Sequence, residues 1–297
     1  MDEFIVKLFQ TLAMHTHVLS YLPSMAGLYH QFQYQGAVLG YLQAGNGPEH
    51  LLLFHGFGQN HTAFNALTRE LDTKFTLYCF DLFFHGKSQW PHNETPLSKA
   101  YWKEILGQFL DEKAIVNFSL LGFSLGGKFV LASMEAFPSR ISSVYLLAPD
   151  GIKKNIWYNL ATYPAPLRWL FKSMIAKPGR FQSIVKGARK LNLIDRGVIK
   201  FAESQMNTEE QRKRVYYSWV VFRKLKFDQG KIGSIVNSNG INLFLFVGQF
   251  DKMITAKNMD RLLKRIPHHH FQILPTGHNG LIEKSIEVLR NIGSKSP

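Results

Sequence analysis

A serine, an aspartate and a histidine each stand just past an apolar run of this chain. Ser124 lies in Gly122-Phe123-Ser124-Leu125-Gly126, Asp251 closes Gly248-Gln249-Phe250-Asp251, and His278 closes Pro275-Thr276-Gly277-His278. A serine hydroxyl is a weak nucleophile until a neighbouring base removes its proton. That base needs a third group to fix its tautomer and to stabilise its charge. These three residue types could therefore attack an acyl carbon with Ser124 as nucleophile, His278 as base and Asp251 as its partner. Such chemistry needs no metal and no cofactor. Asp150, which follows another apolar run, is an alternative acid.

The residues around Ser124 say what must position it. Ile115 to Leu121 is apolar enough for a buried strand, and Lys128 to Phe137 reads as a helix. Gly-Phe-Ser-Leu-Gly then falls where a strand turns sharply into a helix, a context that makes a G-x-S-x-G match informative. Gly122 and Gly126 carry no β-carbon to obstruct the close backbone approach. The helix N-terminus behind the serine favours developing negative charge. A second loop, His55-Gly56-Phe57-Gly58-Gln59-Asn60, follows the apolar run His50 to Phe54. The backbone N–H of Phe57, with that of Leu125, could form an oxyanion hole.

The remaining chain alternates in the same manner. His30–Tyr34 and Ala37–Gln43 read as an antiparallel hairpin turning at Gln35-Gly36. Strands are expected at Phe75–Phe80, Ile141–Ala148, Ile241–Val247 and His270–Leu274. Helices are expected near Ala63–Leu71, Leu97–Leu110 and Asn279–Ile292. Strands alternating with helices predict a mainly parallel sheet covered by helices, with the site on loops at the C-terminal strand ends. Asp81 and His85, in Asp81-Leu82-Phe83-Phe84-His85-Gly86-Lys87-Ser88, are read as a structural turn, because better acid and base candidates follow. His268-His269-His270 resembles a metal cluster, but alternate strand residues face opposite ways. No metal site is expected there.

Between residues 152 and 235 the alternation stops, and aromatic, basic, helix-like stretches replace it. This segment holds eighteen Lys/Arg against five Asp/Glu, so thirteen of the fourteen net positive charges reside in it. The expected organisation is a core of residues 1–151 and 236–297 with a helical cap of residues 152–235. Cations are interleaved with aromatics in Pro166–Lys172 and Tyr216–Lys224. Three readings stay open for this basic surface. It is a solvated roof over the pocket, a peripheral contact with anionic membrane, or an anion-selecting surface that attracts acidic substrates. Nucleic acid is not expected as a partner, since no recognition fold accompanies the charge. Residues 1–22 have apolar positions at helical spacing, which suits packing on the body or contact with a membrane or partner.

With 45% hydrophobic residues the chain can build a large core. Its single cysteine, Cys79, cannot make an internal disulfide, and it sits in an apolar strand as a buried structural thiol. That suits a reducing compartment. The start Met1-Asp2-Glu3 lacks the basic and apolar regions of a secretory signal, and no run approaches the ~18 apolar residues of a membrane span. A cytoplasmic protein, free or peripheral to a membrane, is expected.

From about residue 29 onward the sequence resembles the α/β-hydrolase fold family, in its serine-nucleophile branch. The marks are HGFG at 55–58, DLFFHGKS at 81–88, GFSLGG at 122–127, GQFD at 248–251 and TGH at 276–278. The resemblance implies an α/β fold with a mostly parallel central sheet flanked by helices, and a lid inserted between the sixth and seventh strands. It implies Ser124, Asp251 and His278 as the catalytic residues and Phe57 and Leu125 as oxyanion residues. Serine in the elbow argues against the family's dehalogenases and epoxide hydrolases. SLGG followed by Lys128 is also similar to the menaquinone-pathway synthase of this fold, where the basic residue helps hold substrate carboxylates. Lys128 is accordingly a candidate substrate-binding residue, or else a helix residue facing solvent.

The expected function is a carboxylic-ester hydrolase acting on a small, moderately apolar acyl substrate. The alternatives are C–C cleavage or elimination on a carboxylated substrate, using Lys128 and arginines of the cap, and a hydrolase-like binding protein without turnover. A histidine base must be neutral to act, so activity is expected to fall as pH drops through about 6 to 7.

Overall fold

A computed structural model describes residues 27–152, 156–190 and 196–293. The expected N-terminal helix at 1–22 lies outside them. The chain opens with β1 (Leu28–Tyr34) and β2 (Ala37–Ala44), paired antiparallel so that Tyr34 faces Ala37. The turn between them places Gln35 and Gly36 at φ of 45° and 81°, a left-handed pair that suits a two-residue hairpin loop.

Then follow β3 (Glu49–Phe54), α1 (Asn65–Leu71), β4 (Phe75–Phe80), α2 (Lys99–Glu112), β5 (Phe118–Phe123), α3 (Gly126–Ala136) and β6 (Ile141–Leu147). Six helices come next: α4 (Ile156–Thr162), α5 (Ala165–Ala176), α6 (Pro178–Lys190), α7 (Arg196–Ser204), α8 (Glu209–Val221) and α9 (Gln229–Asn239). The chain then returns through β7 (Asn242–Gly248), α10 (Asp260–Leu263), β8 (His269–Leu274) and α11 (Leu281–Gly293). The eight strands lie in the order β1-β2-β4-β3-β5-β6-β7-β8. Pairing is antiparallel from β1 to β4 through β2 and parallel everywhere else.

The central strands β3 to β7 are mostly apolar because both faces of the sheet are covered there, whereas the edge strands β1 and β8 alternate with exposed polar residues. Every residue of β5 is buried. Successive strand residues serve opposite layers. Phe54, Leu120, Leu146 and Leu245 join one core with Trp102 and Phe109 of α2, Phe129 and Val130 of α3, and Ile232 of α9. Leu53, Leu121, Leu147 and Phe246 join the other with Leu67 of α1 and with Leu281 and Leu289 of α11. Fully burying each such side chain stabilises the fold by about 1.5–3 kcal/mol before entropy is counted. Polar side chains buried between α2 and α3 find partners. The Trp102 indole N–H donates to Ser133 Oγ (3.0 Å), and that hydroxyl donates to Phe129 O (2.8 Å).

Helices begin where short polar side chains cap them. Ser98 accepts from the Tyr101 N–H at the start of α2, and Thr208 forms a capping box with Gln211 at the start of α8. The expected boundary at residue 235 falls inside α9, whose Ile232 and Val236 belong to the main core.

Between β6 and α9 the helices carry a small apolar cluster of their own. Met174, Met206 and Val215 are buried with Leu170, Phe171, Phe181 and Trp219 packed against them, and Phe57 from the loop after β3 joins them. Glu94 ties α5 to the body. It pairs with Lys172 (2.5 Å) and Arg168 (3.9 Å), so these two cations do not stand free at the surface.

Candidate active site

β5 must turn into α3 within two residues, and Ser124 takes the strain. Its φ is 49°, in the left-handed region, which costs a non-glycine residue of order 1–3 kcal/mol. Three backbone bonds hold it there. Its N–H donates to Leu147 O (2.9 Å), and its carbonyl accepts from Gly127 N–H (2.9 Å) and Asp150 N–H (2.8 Å). Gly126 permits the close approach. A Cβ on it would lie 1.9 Å from Phe54 O and 3.0 Å from His55 O. The loop that carries Phe57 therefore lies against the start of α3, beside Leu125. Neither the Phe57 nor the Leu125 N–H has a hydrogen-bond acceptor among the described residues.

His278 reaches Ser124 from the other side. β7 and β8 run parallel, and the loops beyond them are tied by Gln249 N–H to Leu274 O (2.8 Å) and Phe250 N–H to Thr276 O (3.0 Å). This brings Asp251 beside the loop of His278. The imidazole Nδ1 is 2.5 Å from Asp251 Oδ2, and Nε2 is 2.9 Å from Ser124 Oγ. The Phe123 ring lies 5.0 Å from the imidazole, centroid to centroid.

Asp251 is buried, which alone would raise its carboxyl. The hydrogen bond and charge of His278, with the N–H groups of Ile254 and Met253, outweigh burial and hold it below the usual carboxylate range. Those two N–H groups donate to Oδ1 at 2.9 and 2.7 Å. An ionised Oδ2 then assigns the proton to His278 Nδ1, which leaves Nε2 as acceptor for the Ser124 hydroxyl.

The alternative acid is set aside by its contacts. The Asp150 carboxylate lies 3.5 Å from Lys128 Nζ and accepts the Gly151 N–H (2.7 Å). Lys128 is not the solvent-facing helix residue that was one reading of it. Its side chain is buried, and Nζ stands 4.4 Å from the Tyr158 ring centroid. An ammonium this deep needs such partners to offset the water it has lost.

Two histidines that chain order assigned to no chemistry turn out to shape the Phe57 loop. Gly58 N–H donates to His85 Nε2 (3.0 Å), and Leu82 N–H donates to His55 Nε2 (3.0 Å). Their Nδ1 atoms face the carbonyls of Phe83 (3.0 Å) and Gly56 (2.7 Å). Both rings must therefore be neutral, with the proton on Nδ1. Burial pushes them the same way, to about 3 for His85 and about 4 for His55. Asp81 is the hub of this turn, accepting from the Tyr29 hydroxyl (2.7 Å), the His61 N–H (2.7 Å) and the Lys87 N–H (3.1 Å). The structural reading of Asp81 and His85 agrees with these contacts. The signal was present in HGFG and DLFFHGKS, but nothing in either string says that one holds the other.

These histidines predict an acid-labile site. A histidine whose folded value is depressed binds its proton more readily in the unfolded chain. Stability is then full above the unfolded value near 6.5 and falls as pH drops toward about 4 and about 3. Each ring should contribute a slope of up to about 1.4 kcal/mol per pH unit across that window. Denaturant titrations from pH 7 to pH 4 should show the decline, and His85→Asn should flatten it. An unchanged midpoint over that range would refute the assignment.

The histidine cluster at 268–270 makes unrelated contacts. His269 Nδ1 faces Ile266 O (2.5 Å), whereas His270 stacks on Phe244 with centroids 4.6 Å apart. Among the described residues no group of His, Cys, Asp and Glu is arranged to hold a metal ion. Cys79 is fully buried, and burial raises its thiol well above the usual range.

Residues 49–285 match the model of the alpha/beta hydrolase fold family, which is most of the chain. The chain belongs to that family. The solved structures similar to this hydrolase-fold chain share its architecture at low identity. One is a thermophilic esterase from Thermogutta terrifontis, with a TM-score of 0.65, 17% identity, and coverage of 90% of this chain and 98% of that one. Another is the 2-hydroxy-6-oxo-6-phenylhexa-2,4-dienoate hydrolase of Rhodococcus, with a TM-score of 0.62, 17% identity, and coverage of 91% and 99%. Identity at this level speaks for the fold alone. An uncharacterized protein of Mycobacterium tuberculosis is 32% identical over 123 residues, which span 41% of this chain and 35% of that protein. In this hydrolase fold Ser124, Asp251 and His278 all follow parallel strands at their C-terminal ends, where such sheets carry their sites.

Proposed function

We propose that the protein is a serine hydrolase that cleaves carboxylic esters of moderately apolar acids through an acyl-enzyme on Ser124. The observation that carries this reading is the hydrogen-bonded chain from Ser124 through His278 to Asp251, at 2.9 and 2.5 Å. In the proposed reaction His278 Nε2 takes the Ser124 proton as Oγ attacks the ester carbonyl. The N–H groups of Phe57 and Leu125 receive the developing oxyanion. The protonated imidazole, held by the Asp251 carboxylate, then gives its proton to the departing alcohol. Water activated by the same nitrogen releases the acid and restores Ser124.

Residues 152–235 act in this account as a cap over the site. The apolar cluster of Leu170, Phe171, Phe181 and Trp219, which touches Phe57, supports an apolar acyl group rather than a polar one. C–C cleavage or elimination on a carboxylated substrate would require a cation free to meet the carboxylate. Lys128 instead faces Asp150 and Tyr158, which counts against that residue as the partner of a substrate carboxylate.

A panel of 4-nitrophenyl esters of increasing acyl length, run beside a 2-hydroxy-6-oxodienoate, tests the choice. Ester turnover with a preference for medium acyl chains is expected, with no cleavage of the dienoate. Dienoate cleavage without ester turnover would replace this reading with the C–C one. Inertness toward both, together with an unreactive Ser124, would leave a binding protein.

A further inference from the structure

The outer face of the α5–α6 hairpin combines charge and apolar surface in a way the ester chemistry does not use. From residue 151 to residue 194 the chain has nine Lys/Arg and not one Asp or Glu. Three of these cations have acidic partners: Arg168 and Lys172 on Glu94, and Arg189 on Glu203 at 2.7 Å. Among the described residues no carboxylate lies within ion-pair distance of Lys177, Arg180, Lys186 or Lys190.

α6 is two-sided. Phe181 packs toward the cluster that reaches Phe57, and Val185 is buried. Lys177, Arg180 and Ile184 follow one another at three- and four-residue spacing on a different side, where Ile184 is 48% exposed. A Cβ placed on Gly179 or Gly187 would meet no atom within 4 Å, so this side of the helix has no covering element among the described residues. Trp169 of α5 is 66% exposed, and the Arg180 guanidinium carbon stands 5.7 Å from its ring centroid. That contact joins the exposed side of α5 to that of α6.

We propose that this face docks on an anionic lipid bilayer, with Trp169 and Ile184 entering the interface and Lys177, Arg180, Lys186 and Lys190 meeting the headgroups. Trp is suited to the boundary because its ring is apolar and its N–H is polar. Four cations without acidic neighbours are the complement of a negatively charged leaflet. A nucleic acid would also meet the cations, but it has no use for an exposed isoleucine and no groove-reading element accompanies the patch. The opposite side of the same hairpin carries Phe181 and Phe171 toward Phe57, so a docked protein holds its site directly beneath the contact. Docking is independent of the ester reading, since it uses none of the residues around Ser124.

The test is flotation of the full-length protein with vesicles of phosphatidylcholine alone, or with about one-third phosphatidylglycerol. Strong association with the anionic vesicles alone is expected, and raising salt toward 1 M should release the protein as the Debye length shrinks to about 3 Å. Each basic side chain near such a surface strengthens partitioning about fivefold, so the pair Lys186→Glu and Lys190→Glu should weaken binding by at least about tenfold. Trp169→Ser with Ile184→Ser should weaken it while leaving the salt dependence in place. Hydrolysis of a soluble short-chain ester, measured without vesicles, should be unchanged in both variants, and Ser124→Ala should float as the wild type does. Failure on the soluble ester would count against the hydrolase reading only. Equal binding to neutral vesicles, no binding to either, or tighter binding to RNA or DNA than to anionic vesicles would overturn the docking proposal.

Discussion

Replacing Ser124 by alanine is expected to lower ester turnover by about 10⁴- to 10⁶-fold, and His278→Ala by a similar factor. The reason is that the two act as one unit. Without Nε2 at 2.9 Å from Oγ, the hydroxyl keeps its proton and stays a poor nucleophile. Without Oγ, no acyl-enzyme forms and only the surroundings remain to assist water. The double variant should therefore be little worse than either single one. Neither change should unfold the protein, because the backbone bonds of Ser124 to Leu147, Gly127 and Asp150 do not involve the side chain. Steady-state kinetics beside a thermal melt checks both halves. A Ser124→Ala protein with near-wild-type turnover would remove the mechanism.

Asp251→Asn is the second large effect, expected at about 10⁴-fold in kcat. The substitution nearly preserves volume, so the site should keep its shape. What changes is the proton. Asp251 now fixes His278 Nδ1 as donor through a 2.5 Å bond, while its other oxygen accepts from Met253 and Ile254. An asparagine held by those same two N–H groups through its carbonyl oxygen would present its NH2 to Nδ1. That nitrogen would then have to accept, Nε2 would carry the proton, and no base would face Ser124. Binding of substrate should be barely altered, so the loss should appear in kcat more than in KM. An Asp251→Asn enzyme within tenfold of wild type would contradict this role, whereas a matching loss in Asp150→Asn would restore Asp150 as a candidate.

The core of this molecule was largely readable from its residues because the physics there is local. β5, β6 and β7 are mostly apolar and buried over their C-terminal halves since the sheet is covered twice, and each ends in a turn that carries Ser124, Asp150 or Asp251. The G-x-S-x-G turn was legible for the same reason: Gly126 has one task, to let the Phe54 carbonyl pass. What could not be read depends on partners distant in sequence. Lys128 looks like a solvent-facing residue until the ends of β6 and α4 bring Asp150 and Tyr158 to it. Arg168 and Lys172 looked like free surface charge, but Glu94, more than seventy residues earlier, takes both. The supporting work of His55 and His85 was hidden because their acceptor atoms serve backbone N–H groups, which no residue type reveals. The helical segment shared its aromatic, basic composition with many surfaces. Only exposure and pairing separate Trp169 and Ile184 from Phe171 and Phe181.

The most direct test of the central claim is covalent capture of the nucleophile. The wild-type protein should react with a fluorophosphonate and gain one adduct by intact mass, and peptide mapping should place it on Ser124. The rate should collapse in His278→Ala, because the Ser124 hydroxyl would have lost the nitrogen that accepts its proton. A protein that stays unlabelled while folded, or one labelled at another residue, would contradict the account.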